Sequence, residues 1–268
     1  MTSLAELRAE LLPAARPVWP ETGAATGKTA RPIAWVRVMK ARVPAFDALE
    51  PGDLAIVPAP ALAVIAQGSD TVASLTDAFL AAPVAGVLLV EGEPVVETPG
   101  PDPLDELEAA LREARLPSLR LPRADSAALE RSIIGFIVAR GAELERQASI
   151  LESQLERLAI EGGGAPALVA AIAGFLGRAV ALESARGEPL AVHAPPDASD
   201  AGSAVARYHA RRRTAVALRV ALPGGAGSAG AIALLGERPV NELGRVAVAR
   251  VAGLLALELA RDEAVRRA

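Results

Sequence analysis

Few side chains in this sequence carry chemistry, and they are scattered. The chain has two histidines, His193 and His209, and no cysteine. That leaves no set for a thiolate or histidine-rich metal centre, a cysteine nucleophile or a disulfide framework, and haem held by one of the histidines is disfavoured. Ser228 stands in Ala226-Gly227-Ser228-Ala229-Gly230, which lacks the first glycine of a nucleophile elbow and the strand-to-helix turn that such a serine needs. The segment Thr22 to Thr29, Thr-Gly-Ala-Ala-Thr-Gly-Lys-Thr, would be a phosphate-binding loop if position 22 were glycine. It is preceded by Pro13, Pro17 and Pro20 and followed by Pro32 and a strand, where the chemistry requires a strand before and a helix N-terminus after. Glu91 and Glu93 follow an apolar run and have the right type for a metal, a cationic ligand or acid–base work. Solvated loop carboxylates are the commoner reading of such a pair. No reaction can be read from these residues, and the expectation is a protein without a catalytic site or cofactor.

Ligand recognition is a different matter. The second half offers a short series of polar groups near apolar strands: Glu183, Ser184, Arg186, His193, Tyr208, His209 and Arg219. From these, Arg186, His193, Tyr208 and Arg219 are the expected ligand-binding residues, set against the general tendency of such side chains to lie in solvent. Arg207, Arg211, Arg212 and Arg213 form the one basic cluster, at a helix end where the macrodipole favours cations.

Composition bounds the rest. With 268 residues, 51% of them hydrophobic, the chain can build two domains with real cores. A net charge of −4 and 3% aromatics argue against a surface built for phosphate backbones or for stacking single-stranded bases. The first twenty residues carry Glu6 and Glu10 and no signal-peptide core, and the Ala/Gly-rich run from Ala165 to Leu182 falls short of a membrane span. A cytoplasmic protein with no membrane partner is expected.

The elements that must hold any site fall into two groups. In residues 1–124, apolar runs at Ile33 to Met39, Leu54 to Val57, Gly86 to Val90 and Ser118 to Leu121 alternate with helical patterns at Thr71 to Ala82 and Leu104 to Ala114. The second of these helices has Asp102 as N-cap and Pro103 at its first position. This predicts βαβ units and a small doubly wound α/β domain with a parallel sheet. Val87 to Val90, apolar at every position, reads as its central strand. Ligands in such sheets favour the carboxyl ends of the strands.

Within residues 125–161, Ile134, Ile137, Gly141, Leu144, Ala148, Leu151, Leu155 and Leu158 recur at alternating three- and four-residue steps. That is the period of a coiled-coil seam, so Ile134, Ile137, Leu144, Leu151, Leu155 and Leu158 are expected to form a dimer interface. Arg140, Glu143, Glu145, Arg146, Glu152, Glu156 and Arg157 would face water or a partner helix. Gly141 would loosen the seam locally.

In residues 162–268, a helix after Pro166 precedes strand-like pieces at Val180 to Ser184, Pro189 to His193, Thr214 to Leu222 and Ala231 to Leu235. Pro223 to Gly230 joins the last two as a flexible connection, and a final helix is capped by Asn241. This predicts an α+β domain with an antiparallel sheet.

Two resemblances sit on these residues. The run Arg31-Pro32-Ile33-Ala34-Trp35-Val36-Arg37-Val38-Met39-Lys40, then Leu49-Glu50-Pro51-Gly52-Asp53-Leu54, then Ala85 to Val90 and Ala114 to Pro122 before a long helix, resembles purine catabolism regulator-like (PucR) proteins. The second half is similar to GAF-type sensors. The resemblance implies a sensory domain, a helical connector and a GAF-like domain in a homodimeric transcriptional regulator that answers a small-molecule effector, with purine-related metabolites as the candidates it suggests. DNA would be reached only through a helix-turn-helix that this chain does not contain. A small α/β enzyme using Glu91 and Glu93, or a ligand-free dimeric scaffold, are the competing readings.

Overall fold

The computed structural model describes residues 2–19, 31–66, 71–92, 102–210, 215–224 and 227–267. The chain divides into two compact units, Met1–Gly141 and Ala142–Ala268. The first contains α1 (Leu4–Glu10), β1 (Arg16–Trp19), β2 (Trp35–Val38), β3 (Asp53–Pro58), α2 (Ala59–Ile65), α3 (Thr71–Ala81), β4 (Gly86–Val90), α4 (Pro103–Glu113), β5 (Ser118–Leu121) and the start of α5 (Ser126–Ile160). The sheet order is β1-β5-β4-β3-β2, parallel throughout except for the antiparallel edge β1.

Side-chain alternation along these strands sends residues to two cores. Ala55, Val57, Val87 and Leu89 join Leu62, Phe79, Leu104, Leu107 and Leu111 of α2 to α4 on one face. Leu54, Ile56, Leu88, Val90, Leu119 and Leu121 join Leu7 of α1 and Leu129 and Ile133 of α5 on the other. β4 is therefore buried at every residue, as its unbroken apolar run requires. Asp102 caps α4 by accepting from the Leu104 N–H at 2.9 Å. The Leu-x-Pro-Gly-Asp segment forms the entry to β3. Gly52 takes φ +90° behind Pro51, and the Asp53 N–H bonds to the Glu50 carbonyl at 3.1 Å, the arrangement of a type II turn. The buried Asp53 carboxylate accepts from the Glu50 N–H at 2.9 Å and from Arg37 Nε at 3.1 Å. α1 and β1 carry no long apolar period, and sequence reading passes over them.

The second unit holds the remainder of α5, then α6 (Gly164–Leu176), β6 (Val180–Ser184), β7 (Pro189–His193), α7 (Ala201–Ala210), β8 (Val216–Gly224), β9 (Gly227–Leu235) and α8 (Glu242–Arg267). Its sheet is antiparallel in the order β7-β6-β9-β8. One face carries Val180, Leu182, Leu222, Ile232 and Leu234 against α5, α6 and α8. The other is lined with alanines, Ala181 and Ala233 among them, under Ala201, Ala204 and Tyr208 of α7. The flexible connection expected from Pro223 to Gly230 is mostly strand: Pro223 pairs with Ser228 and Gly224 with Gly227. Glycines signal a loop by composition, but the pairing of two long neighbouring strands includes Gly224, Gly227 and Gly230.

The expected dimer seam needs correction. Leu144, Ala148, Leu151 and Leu155 are buried within their own chain, the last three in one core with Leu168, Ile172, Val251 and Leu255, and Leu158 packs on its edge. Ile134 and Ile137 pack on the core of the first unit. Two of the seam charges, Glu145 and Glu152, reach α8 of the same chain, while Arg146 pairs with Glu143 on its own helix. Arg250 reaches Glu145 at 2.9 Å and Glu152 at 2.6 Å, and Arg261 donates to the Ala159 carbonyl at 3.2 Å. A helix laid on its own domain shows the same three-four spacing as a coiled coil, so the period alone could not tell them apart. No helix among the described residues is long and apolar enough to cross a membrane.

Candidate functional site

Three polar side chains from three elements converge on the alanine-lined face of the second sheet. Glu183 on β6 is 3% exposed. Its alternation partners in β6, Val180 and Leu182, point to the opposite core, so the carboxylate lies on the α7 side. Tyr208, fully buried on α7, donates its hydroxyl to Glu183 Oε1 at 2.7 Å. Arg219 on β8 sets Nη2 against Glu183 Oε2 in an ion pair that misses hydrogen-bond alignment. β9 separates β6 from β8, and its residues beneath the pair are Gly230, Ala231 and Ala233. Only residues this small leave space for an arginine to lie across a strand.

A hollow of about 290 Å³ opens beside this cluster, lined by Ser184, Ala185, Arg219, Ala221, Gly230 and Ala231. The Arg219 side chain is 54% exposed. Gly230, at φ +152°, is confined by the sheet: a Cβ there would sit 2.2 Å from the Glu183 carbonyl oxygen. Two of the four expected ligand residues, Tyr208 and Arg219, thus meet on one carboxylate. The other two do not join them. Arg186 is exposed in the β6–β7 turn, where its N–H bonds to Ser184 Oγ at 3.2 Å. His193 pairs across from Val180 and so belongs to the far face of the sheet. Strand alternation separates residues that sequence proximity had grouped. Glu183 organises the site; its signal was a lone carboxylate inside an apolar strand, a position that demands a partner.

Other polar groups are occupied structurally. Arg120 on β5 donates Nε to Glu91 at 2.7 Å and Nη1 to Asp105 at 2.6 Å and Glu108 at 2.9 Å, while Arg16 holds Glu108 with both amino nitrogens. Burial opposes the charge on Glu108, but the hydrogen bonds from Arg16 and Arg120 outweigh it and draw its pKa below the ordinary carboxylate value. Glu91, the residue assigned to acid–base work under the enzyme reading, is held by Arg120; Glu93 lies outside the described residues, as do the phosphate-loop-like segment 22–29 and Arg211, Arg212 and Arg213. Arg207 pairs with Glu237 at 2.9 Å.

A second polar hollow, about 380 Å³, is bordered by Arg178, Asp200 and Arg238. Arg178 spends its donors on the carbonyls of Leu235, Arg238 and Pro239, and its pKa is lowered chiefly by burial. Asp200 is held by Arg238 at 2.8 Å, whose hydrogen bond lowers its pKa. A larger hollow, about 940 Å³, lies in the first unit between the segment Val43 to Leu49 and α3, with Phe46, Ile65 and Leu75 in its walls and no charged group among its lining residues. The strands of that sheet advance in one direction from β2 to β5, so no reversal of order creates a crevice at their carboxyl ends. Among the described residues, no three histidines, cysteines or carboxylates gather to hold a metal ion.

Compared with known proteins, the chain matches no family model, no curated protein and no solved structure.

Proposed function

We propose that this chain is a homodimeric, cytoplasmic, ligand-responsive transcriptional regulator, or the sensory fragment of one. The observation that carries the reading is helix α5. Leu129 and Ile133 near its start belong to one hydrophobic core, and Ala148, Leu151 and Leu155 near its end belong to another. A change in packing at one end of a continuous helix alters the element that builds the other core, and close-packed cores respond by switching between discrete arrangements rather than by deforming smoothly. The Glu183–Tyr208–Arg219 cluster, with its hollow, supplies a place for an effector. In a regulator resembling the purine catabolism regulator-like proteins, the output would be DNA binding by a helix-turn-helix working with this chain.

Leu144, Leu151 and Leu155 of the seam are not available for the homodimer, because they are buried within their own chain. Exposed apolar side chains remain on the same two helices of the second unit, Ile150 on α5 and Leu257 on α8. Light scattering of the Ile150→Glu and Leu257→Glu variants tests this part of the reading, with a loss of mass expected from at least one of them and a native circular dichroism spectrum from both. The sensor reading is tested by thermal shift against purines, ureides, nucleotides, amines and organic acids, since a ligand that binds only the folded state must raise the melting temperature. A saturable shift is expected. No shift for any compound overturns the reading in favour of a ligand-free scaffold.

A further inference from the structure

Resting on the sensor reading, we propose that the effector bound on the second sheet is a small carboxylic acid, held as its carboxylate by Arg219. A guanidinium has two usable edges and five N–H donors. Arg219 commits Nη2 to Glu183; among the described residues its Nε and Nη1 have no partner, and the side chain borders the hollow. This chain shows what an arginine does with its remaining donors when carboxylates are within reach: Arg120 serves three of them at 2.6 to 2.9 Å. Nη2 carries two hydrogens, one on each edge of the guanidinium, so an ion pair that takes one of them leaves the other, with the neighbouring N–H of its edge, to match the two oxygens of a carboxylate.

The surroundings restrict the ligand further. Arg219 is the one charged side chain in the lining. Ser184 adds a second donor, because its Oγ accepts from the N–H groups of Arg186 and Glu188, both at 3.2 Å, which leaves the hydroxyl hydrogen to give. Ala221, Gly230 and Ala231 contribute only a small apolar floor. About 290 Å³ stands at the lower edge of the range for small-molecule sites, which suits an acid of a few carbons rather than a nucleotide. An amine would have to be received by Glu183, and both of its oxygens already face Tyr208 and Arg219. The Tyr208–Glu183 pair acts as the positioning group: it fixes the anchored edge of Arg219 so that the other edge is presented without further loss of side-chain freedom.

The test is an isothermal titration of the full chain with acetate, propionate, succinate and benzoate, each paired with its amide. At least one acid is expected to bind saturably, and its amide at least about tenfold more weakly. Arg219→Met should remove acid binding. Because that change leaves the Glu183 carboxylate buried without its cation, the double variant Glu183→Gln/Arg219→Met is titrated beside it as a neutral replacement of the pair, with circular dichroism to confirm folding. Amides that bind as well as acids, acid binding that survives in the folded double variant, or no acid binding at all each overturn the carboxylate assignment. If a compound of another class from the wider panel binds and is indifferent to Arg219, the sensor reading stands and this inference falls. If nothing binds from either set, both fall.

Discussion

Leu155→Ala separates the intrachain packing of α5 from an intermolecular seam. Leu155 is 0% exposed and shares a core with Leu151, Leu168, Ile172, Val251 and Leu255. Truncating a fully enclosed leucine removes its transfer free energy and leaves a cavity that its neighbours only partly fill, and such changes cost about 3 kcal/mol. With a urea dependence of about 2 kcal/mol per molar for a unit of this size, the midpoint should fall by about 1.5 M. The aromatic residues provide a separate probe for each unit. Both tryptophans, Trp19 and Trp35, lie in the first, and the single tyrosine, Tyr208, is buried in the second. Urea titration followed by tyrosine absorbance should show the full shift, and tryptophan fluorescence a smaller one. The difference in tyrosine midpoint between variant and parent should be the same at every protein concentration, because a cavity within one chain costs the same whether or not chains associate. A midpoint difference that changes with concentration, or a loss below about 1 kcal/mol, would refute the placement of Leu155 in its own chain's core.

Three further outcomes are expected. Glu108 has a folded pKa held below its ordinary value of 4.5. The stability it contributes is therefore complete above the unfolded value and is lost as pH falls through the lower folded one, so Glu108→Gln should flatten the acid limb of tryptophan-monitored unfolding; an unchanged acid limb would count against the Arg16–Glu108–Arg120 network. Gly230→Ala forces a Cβ to 2.2 Å from the Glu183 carbonyl at a φ of +152°, and should cost more than about 3 kcal/mol and expose Tyr208 to quenchers, because the β6–β9 ladder must part to admit it. Gly141→Ala meets nothing within 4 Å and should raise helix stability by about 0.5–1 kcal/mol. If α5 works through two arrangements, the same change should also weaken the response to an effector, which is read by comparing the ligand-induced thermal shift of the variant with that of the parent chain.

Much of the fold was written in local pattern. The all-apolar run of Val87 to Val90 predicts a central strand, Asp102-Pro103 predicts a helix start, and the alternation from Val216 to Leu222 predicts a half-buried strand; each sits where a period of two, or a cap, places it. These signals need only neighbouring residues, and the two α/β architectures, one mostly parallel sheet and one antiparallel, follow from how they alternate. Long-range pairing has no such local sign. β1 carries no alternation that announces it as the antiparallel edge beside β5, and the glycines from Gly224 to Gly230 look like a loop until β8 and β9 lie side by side.

The site and the seam show the same division. Residue type alone nominates Arg186, His193, Tyr208 and Arg219, but only the pleat of β6 and β7 turns His193 away, and only the order β6-β9-β8 brings Arg219 across small residues to Glu183. Likewise, the three-four period from Ile134 to Leu158 determines that one face of a long helix is buried. Whether the surface that buries it belongs to the same chain depends on where α6 and α8 fold. Periodicity records that a face avoids water, and tertiary packing decides what replaces the water.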